Sequence, residues 1–501
     1  MAKLTIDGRD VEFTGNKMLI QAALDAGVEV PHYCYHPGLS SPASCRICLV
    51  EVEGIPKLVP ACYTPAKDGM VVHMNNSTKA VANQKQVMEY LLVNHPLDCP
   101  VCDKAGECSL QDYSYAHGRS QSRFEEDKSK NPKKDVGEHV LLYSDRCIMC
   151  TRCVRFTREV SGTAELMVEG RGHREEIDIF PGKPLNNKIS LNVVDLCPVG
   201  ALLDKNFLFK QRVWRLTKTP SISPVDAGGE NIYVEANEGV VYRIKPRFNA
   251  DVNRHWISND TRLSFEVVHS LSRLKAPKTK QFGALSETSY RDAVALADQT
   301  LRARAGEGLF VVFSPMMACE EAFLLGSYIL QLDPNANLVV GPVPTIEDEA
   351  FKHYNTGKET FRISGEKVPN RRGIERVIAL LGGTPTSWSD FLASAPTAGA
   401  GWITGGYLST WINEVPEALR GKFLVVQDVL PNALTEAADV LLPAAMWAEK
   451  DGTWENVAGT LQAFDRAIDP PGLARREGDV YLKLLAREPD YVAADIRQEM
   501  G

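Results

Sequence analysis

After Cys197 this chain of 501 residues has one cysteine left, Cys319, although eleven others crowd into the stretch before residue 198. It lacks a basic surplus as well: 56 Lys and Arg against 64 Asp and Glu leave a net charge of −8. A chain that cannot neutralise phosphates is poorly suited to nucleic acid, and that class is set aside. No apolar run approaches the length of a bilayer span, so direct membrane insertion is not expected. The N-terminus lacks the graded pattern of a leader, and an untargeted, intracellular chain is expected. In a reducing compartment disulfides explain the cysteines poorly, which leaves metal ligation. Hydrophobic residues at 44% and charged residues at 24% are ordinary for a chain with several packed domains.

The opening residues alternate apolar and polar around Asp7-Gly8, a hairpin signal. Strand-like runs cover residues 3–13, 47–52 and 70–74, and a helix is predicted from Lys17 to Ala26, ended by Gly27. A second helix is predicted over about 79–93, stopping before His95-Pro96. The mixed charge run at 119–138 reads as a solvated loop. Beyond about residue 215, strand-like runs (309–313, 338–339, 423–426) alternate with helical stretches (290–304, 319–332). That alternation predicts a doubly wound α/β region, with loops at 369–373 and 382–385.

Three cysteine constellations carry the chemistry. Cys147, Cys150 and Cys153 follow one another at two-residue spacing, and Cys197-Pro198 lies far downstream. Three thiolates so close wrap one face of a cubane, and a remote fourth closes it, so one 4Fe–4S cluster is expected over zinc. Cys34, Cys45, Cys48 and Cys62 place a C-x2-C between two flanking thiols in the β-rich segment. That pattern suits 2Fe–2S, with zinc as the lesser alternative, and the small polar loop 38–44 can bend and donate N–H groups to sulfur. His95, Cys99, Cys102 and Cys108 form the unusual set. Read alone, one histidine with three cysteines fits structural zinc as well as a 4Fe–4S cluster; its place between two cluster motifs favours iron. A neutral imidazole in place of a thiolate should raise that centre's potential.

The segments His95–Asp112, Arg146–Phe156, Gly170-Arg171-Gly172 and Asn192–Leu202 resemble the large iron–sulfur subunit of respiratory complex I, the NADH:quinone oxidoreductase. The Cys34 to Cys62 spacing is also that family's. The back half is similar to molybdopterin oxidoreductases through Val426–Val429, Ala438–Ala444 and Glu449–Asn456. Two departures stand out there: Ala458-Gly459-Thr460 replaces the usual Glu-Gly-Arg, and no cysteine falls after the 335–340 strand region. A third is that residues 219–229, where some relatives hold a further 4Fe–4S site, contain no cysteine.

The resemblance implies a multidomain α+β and α/β chain. Its parts would be a β-grasp 2Fe–2S domain at 1–78, a helical histidine-plus-three-cysteine segment at 79–118, a 4Fe–4S ferredoxin-like domain at 139–214, and a molybdopterin-oxidoreductase-like scaffold without cofactor at 215–501. It implies one 2Fe–2S and two 4Fe–4S clusters, with no substrate site and no catalytic side chain on this chain. Electrons would enter at the Cys34 set, pass to the Cys147 set and leave by the His95 set. The implied partners are a flavin/NADH-binding subunit, a ferredoxin-like 4Fe–4S subunit and other peripheral-arm subunits. The implied place is peripheral, on the cytoplasmic side of the bacterial inner membrane.

The rival readings are an electron-input subunit of an NAD-linked or iron–iron hydrogenase, a molybdenum formate dehydrogenase relative, and a zinc-stabilised scaffold. Lesser signals are assigned blandly. Cys319 is expected to be a buried structural thiol. His32, His36 and His73 are expected to be packing or surface residues, and Thr404-Gly405-Gly406 a strand-to-helix turn. Arg46, Arg152 and Arg155 stand beside ligands, where charge compensation and surface ion pairing are equal alternatives. Two sequons, at Asn76 and Asn259, are set aside because an untargeted chain never meets the glycosylation machinery.

Overall fold

The computed structural model describes residues 2–394, 396–487 and 490–501. It divides into two compact units, residues up to Leu216 together with 351–361, and residues 217–350 with 362–501.

In the first unit the expected hairpin forms between Ala2–Ile6 and Arg9–Phe13, with Asp7 and Gly8 both at positive φ in the turn. These strands join Val71–His73, Leu49–Val52 and Val59–Pro60 in a five-stranded mixed sheet, in which Ala2–Ile6 and Val71–His73 run parallel. The helix Leu19–Asp25 lays Leu19, Ile20, Ala22 and Ala23 onto that sheet, and Cys48 and Cys62 sit in the same core. This is the β-grasp arrangement expected. The helix Thr78–Leu92 follows, started by Ser77, whose hydroxyl accepts from the Ala80 N–H at 3.2 Å. A shorter helix, Ser109–His117, begins directly after Cys108. The charge run departs from expectation at one end, because Lys133–Asp135 pairs with Val140–Tyr143 as an edge strand. Its lysines hid the strand, which is fixed by backbone pairing, by Lys133 on the Tyr143 ring and by Lys134 paired with Glu176 and Asp178. The helix Arg152–Glu159 carries the end of the third cysteine run, and Asn192–Leu196 delivers Cys197.

The second unit centres on an eight-stranded sheet. Its order is Ala284–Glu287, Lys278–Gln281, Val440–Pro443, Phe423–Asp428, Ala400–Thr404, Leu309–Phe313, Asn337–Val340, Thr386–Ser387, the last six parallel. Leu309–Phe313 is wholly buried, with Leu309, Val311 and Phe313 in one core and Phe310 and Val312 in another. A strand covered on both faces must be apolar throughout, which is why it reads as a continuous run. The predicted helices form at Tyr290–Arg304 and Cys319–Leu332. Two expectations fail. The loop foreseen at 369–373 gives way to a helix from Arg371, and Thr404-Gly405-Gly406 leads into an extended loop. Unforeseen is a three-stranded antiparallel sheet, Thr217–Ile222, Asn231–Asn237 and Val240–Pro246.

Candidate metal centres

The loops that carry the cysteines hold backbone conformations that ordinary side chains avoid. Ala43 and Arg46 around Cys45, and Met149 and Thr151 around Cys150, all have φ between 50° and 61°. Turns such as that at Asp7 also hold this backbone, but its clustering around ligand loops marks a functional site. Backbone N–H groups of the cysteine loops point at sulfur. The Ile47 N–H faces the Cys45 sulfur and the Lys104 N–H faces Cys102. Those of Leu110 and Gln111, at the start of a helix, face Cys108, and the Met149 N–H lies 3.4 Å from the Cys147 sulfur. Positive helix ends and N–H donors favour sulfur in its anionic form.

The structure brings the first set together. Cys34 lies beside both Cys45 and Cys62, and Cys48 beside Cys62. Cys45 and Cys62 pull the Cys34 thiol down, and Cys34 pushes Cys45 up. The third set is also assembled: Cys147, Cys150, Cys153 and Cys197 line one small cavity walled by Leu142, Ile148, Ile177, Val199 and Leu202. Burial pushes Cys147 up to about 12 and Cys150 up to about 11. These thiols need a bound cation to become thiolates.

In the second set His95, Cys99 and Cys108 line a cavity of about 370 Å³, with Leu92, Leu97 and Tyr115 around it. Cys102 is outside that cavity wall but within electrostatic range of Cys99 and Cys108. Its sulfur occupies the space a Cβ on Gly200 would need, so only glycine suits position 200. Burial, then Arg146 and Lys128, lower the His95 imidazole to about 4, leaving a neutral ring with a free lone pair for a metal. Cys99 is exposed.

A single zinc ion would draw four thiolates to within about 4 Å of one another. Among the described residues, the ligand atoms of Glu169, Glu176 and Asp178 alone form a set of three or more all within 4.8 Å. That set is answered by Lys134, 3.0 Å from Glu176 and 2.5 Å from Asp178. The soft donors of the cysteine sets, the N–H groups facing sulfur and the apolar walls fit iron–sulfur clusters.

Arginine ties the sets to each other, a role that spacing alone leaves open. Arg146, next to Cys147, is buried and donates to Asp98, next to Cys99, through Nε at 3.0 Å and Nη2 at 2.7 Å. The Ser109 N–H, after Cys108, donates to the Pro198 carbonyl, after Cys197, at 3.1 Å. Arg212 donates to the Cys102 carbonyl at 2.9 Å. Arg152 and Arg155 donate to carbonyls, so neither is a surface ion pair. The Arg46 carbonyl accepts from Asn83. Asp98, Gly200 and Arg212 were not foreseen; the one sequence cue was a glycine closely following Cys-Pro.

The other signals settle as packing. His36 accepts from the Gly38 N–H, His32 meets the Val30 carbonyl, and His73 meets Glu53 at 2.9 Å. Cys319 is buried beside Asn370, and burial pushes its thiol up to about 12, the mark of an unreactive cysteine.

In the second unit the strand order reverses between Leu309–Phe313 and Ala400–Thr404, where open α/β sheets hold their ligands. That position is filled by Met316, Val368 and Tyr407, with Trp411 packed against them. The buried Asp428 beside it accepts from Gly406, Val429, Trp411 Nε1 and Asn432 Nδ2, at 2.7 to 2.9 Å. No helix among the described residues is long and apolar enough to cross a membrane.

Family models match in the same order. Residues 1–77 match a 2Fe-2S iron-sulfur cluster binding domain, 84–123 the NADH-ubiquinone oxidoreductase-G iron-sulfur binding region, and 137–203 the NADH-quinone oxidoreductase subunit 3 ferredoxin-like domain. Residues 216–266 match an NDSU1/NuoG-like 4Fe-4S domain, although that stretch has no cysteine, and 400–487 match molybdopterin oxidoreductase. The G-type subunit of NADH-quinone oxidoreductase from Rickettsia conorii is 37% identical over 335 residues, 67% of this chain and 50% of the relative. The mitochondrial NADH-ubiquinone oxidoreductase 78 kDa subunit of Neurospora crassa is 42% identical over 342 residues, 66% of this chain and 46% of the relative. A solved NAD+-reducing [NiFe]-hydrogenase chain is 29% identical, covering 42% of this chain and 91% of that one, with a TM-score of 0.37. The chain spans about half the length of the curated relatives it matches.

Fold and family models together define an iron–sulfur protein. Within that class, the chain belongs to the family of the large, G-type iron–sulfur subunit of NADH-quinone oxidoreductase.

Proposed function

We propose that this chain relays electrons from an NADH-oxidising flavin subunit toward quinone, as the large iron–sulfur subunit of an NADH:quinone oxidoreductase. The observation that carries this is the linkage of the three ligand sets: the first is tied to the third by Arg152 and Arg155, and the third to the second by Arg146 and the Ser109–Pro198 bond. The ligand sets are Cys34, Cys45, Cys48 and Cys62 for 2Fe–2S, His95, Cys99, Cys102 and Cys108 for 4Fe–4S, and Cys147, Cys150, Cys153 and Cys197 for 4Fe–4S. The clusters supply one-electron chemistry when bound; the protein supplies sulfur, N–H donors, apolar walls and fixed spacing. The domain divisions at 1–78, 79–118, 139–214 and 215–501 belong to the same reading.

Leu97, Val101 and Tyr115, all strongly exposed near the open Cys99, suit the side from which a ferredoxin-like partner subunit takes electrons. The plugged reversal point of the second unit supports a scaffold without molybdopterin. The proposed place is peripheral, on the cytoplasmic face of a bacterial inner membrane. Low-temperature EPR of the reduced protein tests this. Three signals are expected, and His95→Ala should remove or convert one 4Fe–4S signal and leave the others. An unchanged spectrum would take the histidine out of the ligand set.

A further inference from the structure

Arg155 and Arg152 stand one turn apart on the helix Arg152–Glu159, and each reaches two ligand loops. Arg155 donates through Nη2 to the Cys34 carbonyl at 2.5 Å and the Cys150 carbonyl at 3.3 Å, and through Nη1 to the Ser40 carbonyl. Arg152 donates to the Tyr35 carbonyl at 2.5 Å and the Leu196 carbonyl at 3.2 Å, the neighbours of Cys34 and Cys197. Every one of these bonds ends on a backbone carbonyl, and the Nε of each arginine has no partner. The adjacent carboxylate, Glu159, is held by the Ser40 N–H at 2.7 Å and the Ser40 hydroxyl at 2.5 Å. Two guanidiniums, one buried and one half-buried, therefore lie between two thiol sets with no salt bridge among the described residues, although the Glu159 charge acts on Arg155 and offsets part of it. Leaving a buried charge so placed is costly unless something anionic compensates it.

We propose that Arg155 and Arg152 are positioning residues that act as one positive charge shared by the first and third centres, raising the potentials of both together. The proposal rests on the cluster reading above. Thiolate ligation makes each centre anionic, and one-electron reduction adds a further negative charge with no bond made or broken. A cation between them stabilises both reduced forms, more strongly in a partly buried site than in water. The planar fork lets one side chain hold carbonyls of both loops, which an ammonium cannot do in the same geometry.

The test is an EPR-monitored redox titration of the full chain with metal analysis alongside, comparing wild type, Arg155→Gln and Arg155→Lys. Arg155→Gln is expected to keep its iron and to lower the midpoint potentials of the Cys34-set and Cys147-set signals together, with the His95-set signal as the unmoved reference. Arg155→Lys, which keeps the charge, is expected to hold both potentials near wild type. A shift confined to one signal, or none with iron intact, overturns the shared charge. If Arg155→Gln loses iron, Arg155→Lys decides: both signals kept at wild-type potentials support the proposal, and a change at one alone overturns it. Absence of a two-iron signal from the wild type would instead strike at the cluster reading itself.

Discussion

The cysteine loops of the first unit and the strand-order reversal of the second treat their polar groups in opposite ways. Around the cysteines of the first, non-glycine residues sit at positive φ, N–H groups point at sulfur, and the hydrogen bonds of Arg152 and Arg155 end on carbonyls. At the strand-order reversal of the second, where a ligand would lie, Asp428 receives four hydrogen bonds from the chain itself, and Met316, Val368 and Tyr407 fill the space. A site built to hold something leaves strain and charge for its guest to satisfy. The reversal point satisfies its own polar group and packs as core. The stretch 216–266 matches a 4Fe-4S domain and contains no cysteine.

The largest expected break of this contrast lies in the first unit. Cys150→Ser should cost about four of about ten irons, with loss of one 4Fe–4S signal, by metal analysis and EPR. A full iron complement in that variant would mean the third set is misassigned. Next comes the second unit. Met316→Ala, at a buried position in the filled reversal point, should lower unfolding stability by about 2–5 kcal/mol and leave iron content unchanged. Iron loss there, without unfolding, would contradict the division of labour. The smallest effect concerns pH. Glu53 beside His73 raises that imidazole above its ordinary value. Its contribution is therefore fully present below the unfolded pKa of about 6.5 and is lost as pH rises through the raised folded value. His73→Asn should flatten only that slight slope in denaturant titrations across the window, since the pair is exposed.

Much of the fold was legible in the residues alone. Tyr290–Arg304 was bounded by Ser289, whose hydroxyl accepts from the Asp292 N–H, and by Arg302 and Arg304 in its last turn. The buried strands announced themselves as unbroken apolar runs. The misreadings have local physical causes. Pro369 and Gly373 looked like loop punctuation, yet Gly373 lies inside a helix because a Cβ there would collide with Asn370 Oδ1 and the Cys319 sulfur. Asn370 itself is spent on long-range bonds to the Met317 carbonyl and the Glu455 N–H, which no short window reveals. At the candidate sites the residues proposed to touch metal were visible from spacing. Arg152 and Arg155 were visible as neighbours of ligands, but the pairing of Arg146 with Asp98 was not, because they lie 48 positions apart.

Metal content of the purified chain is the most direct test of the central claim. About ten irons per chain with no molybdenum is the predicted result, from one two-iron and two four-iron centres. Roughly four irons or fewer with stoichiometric zinc would contradict it.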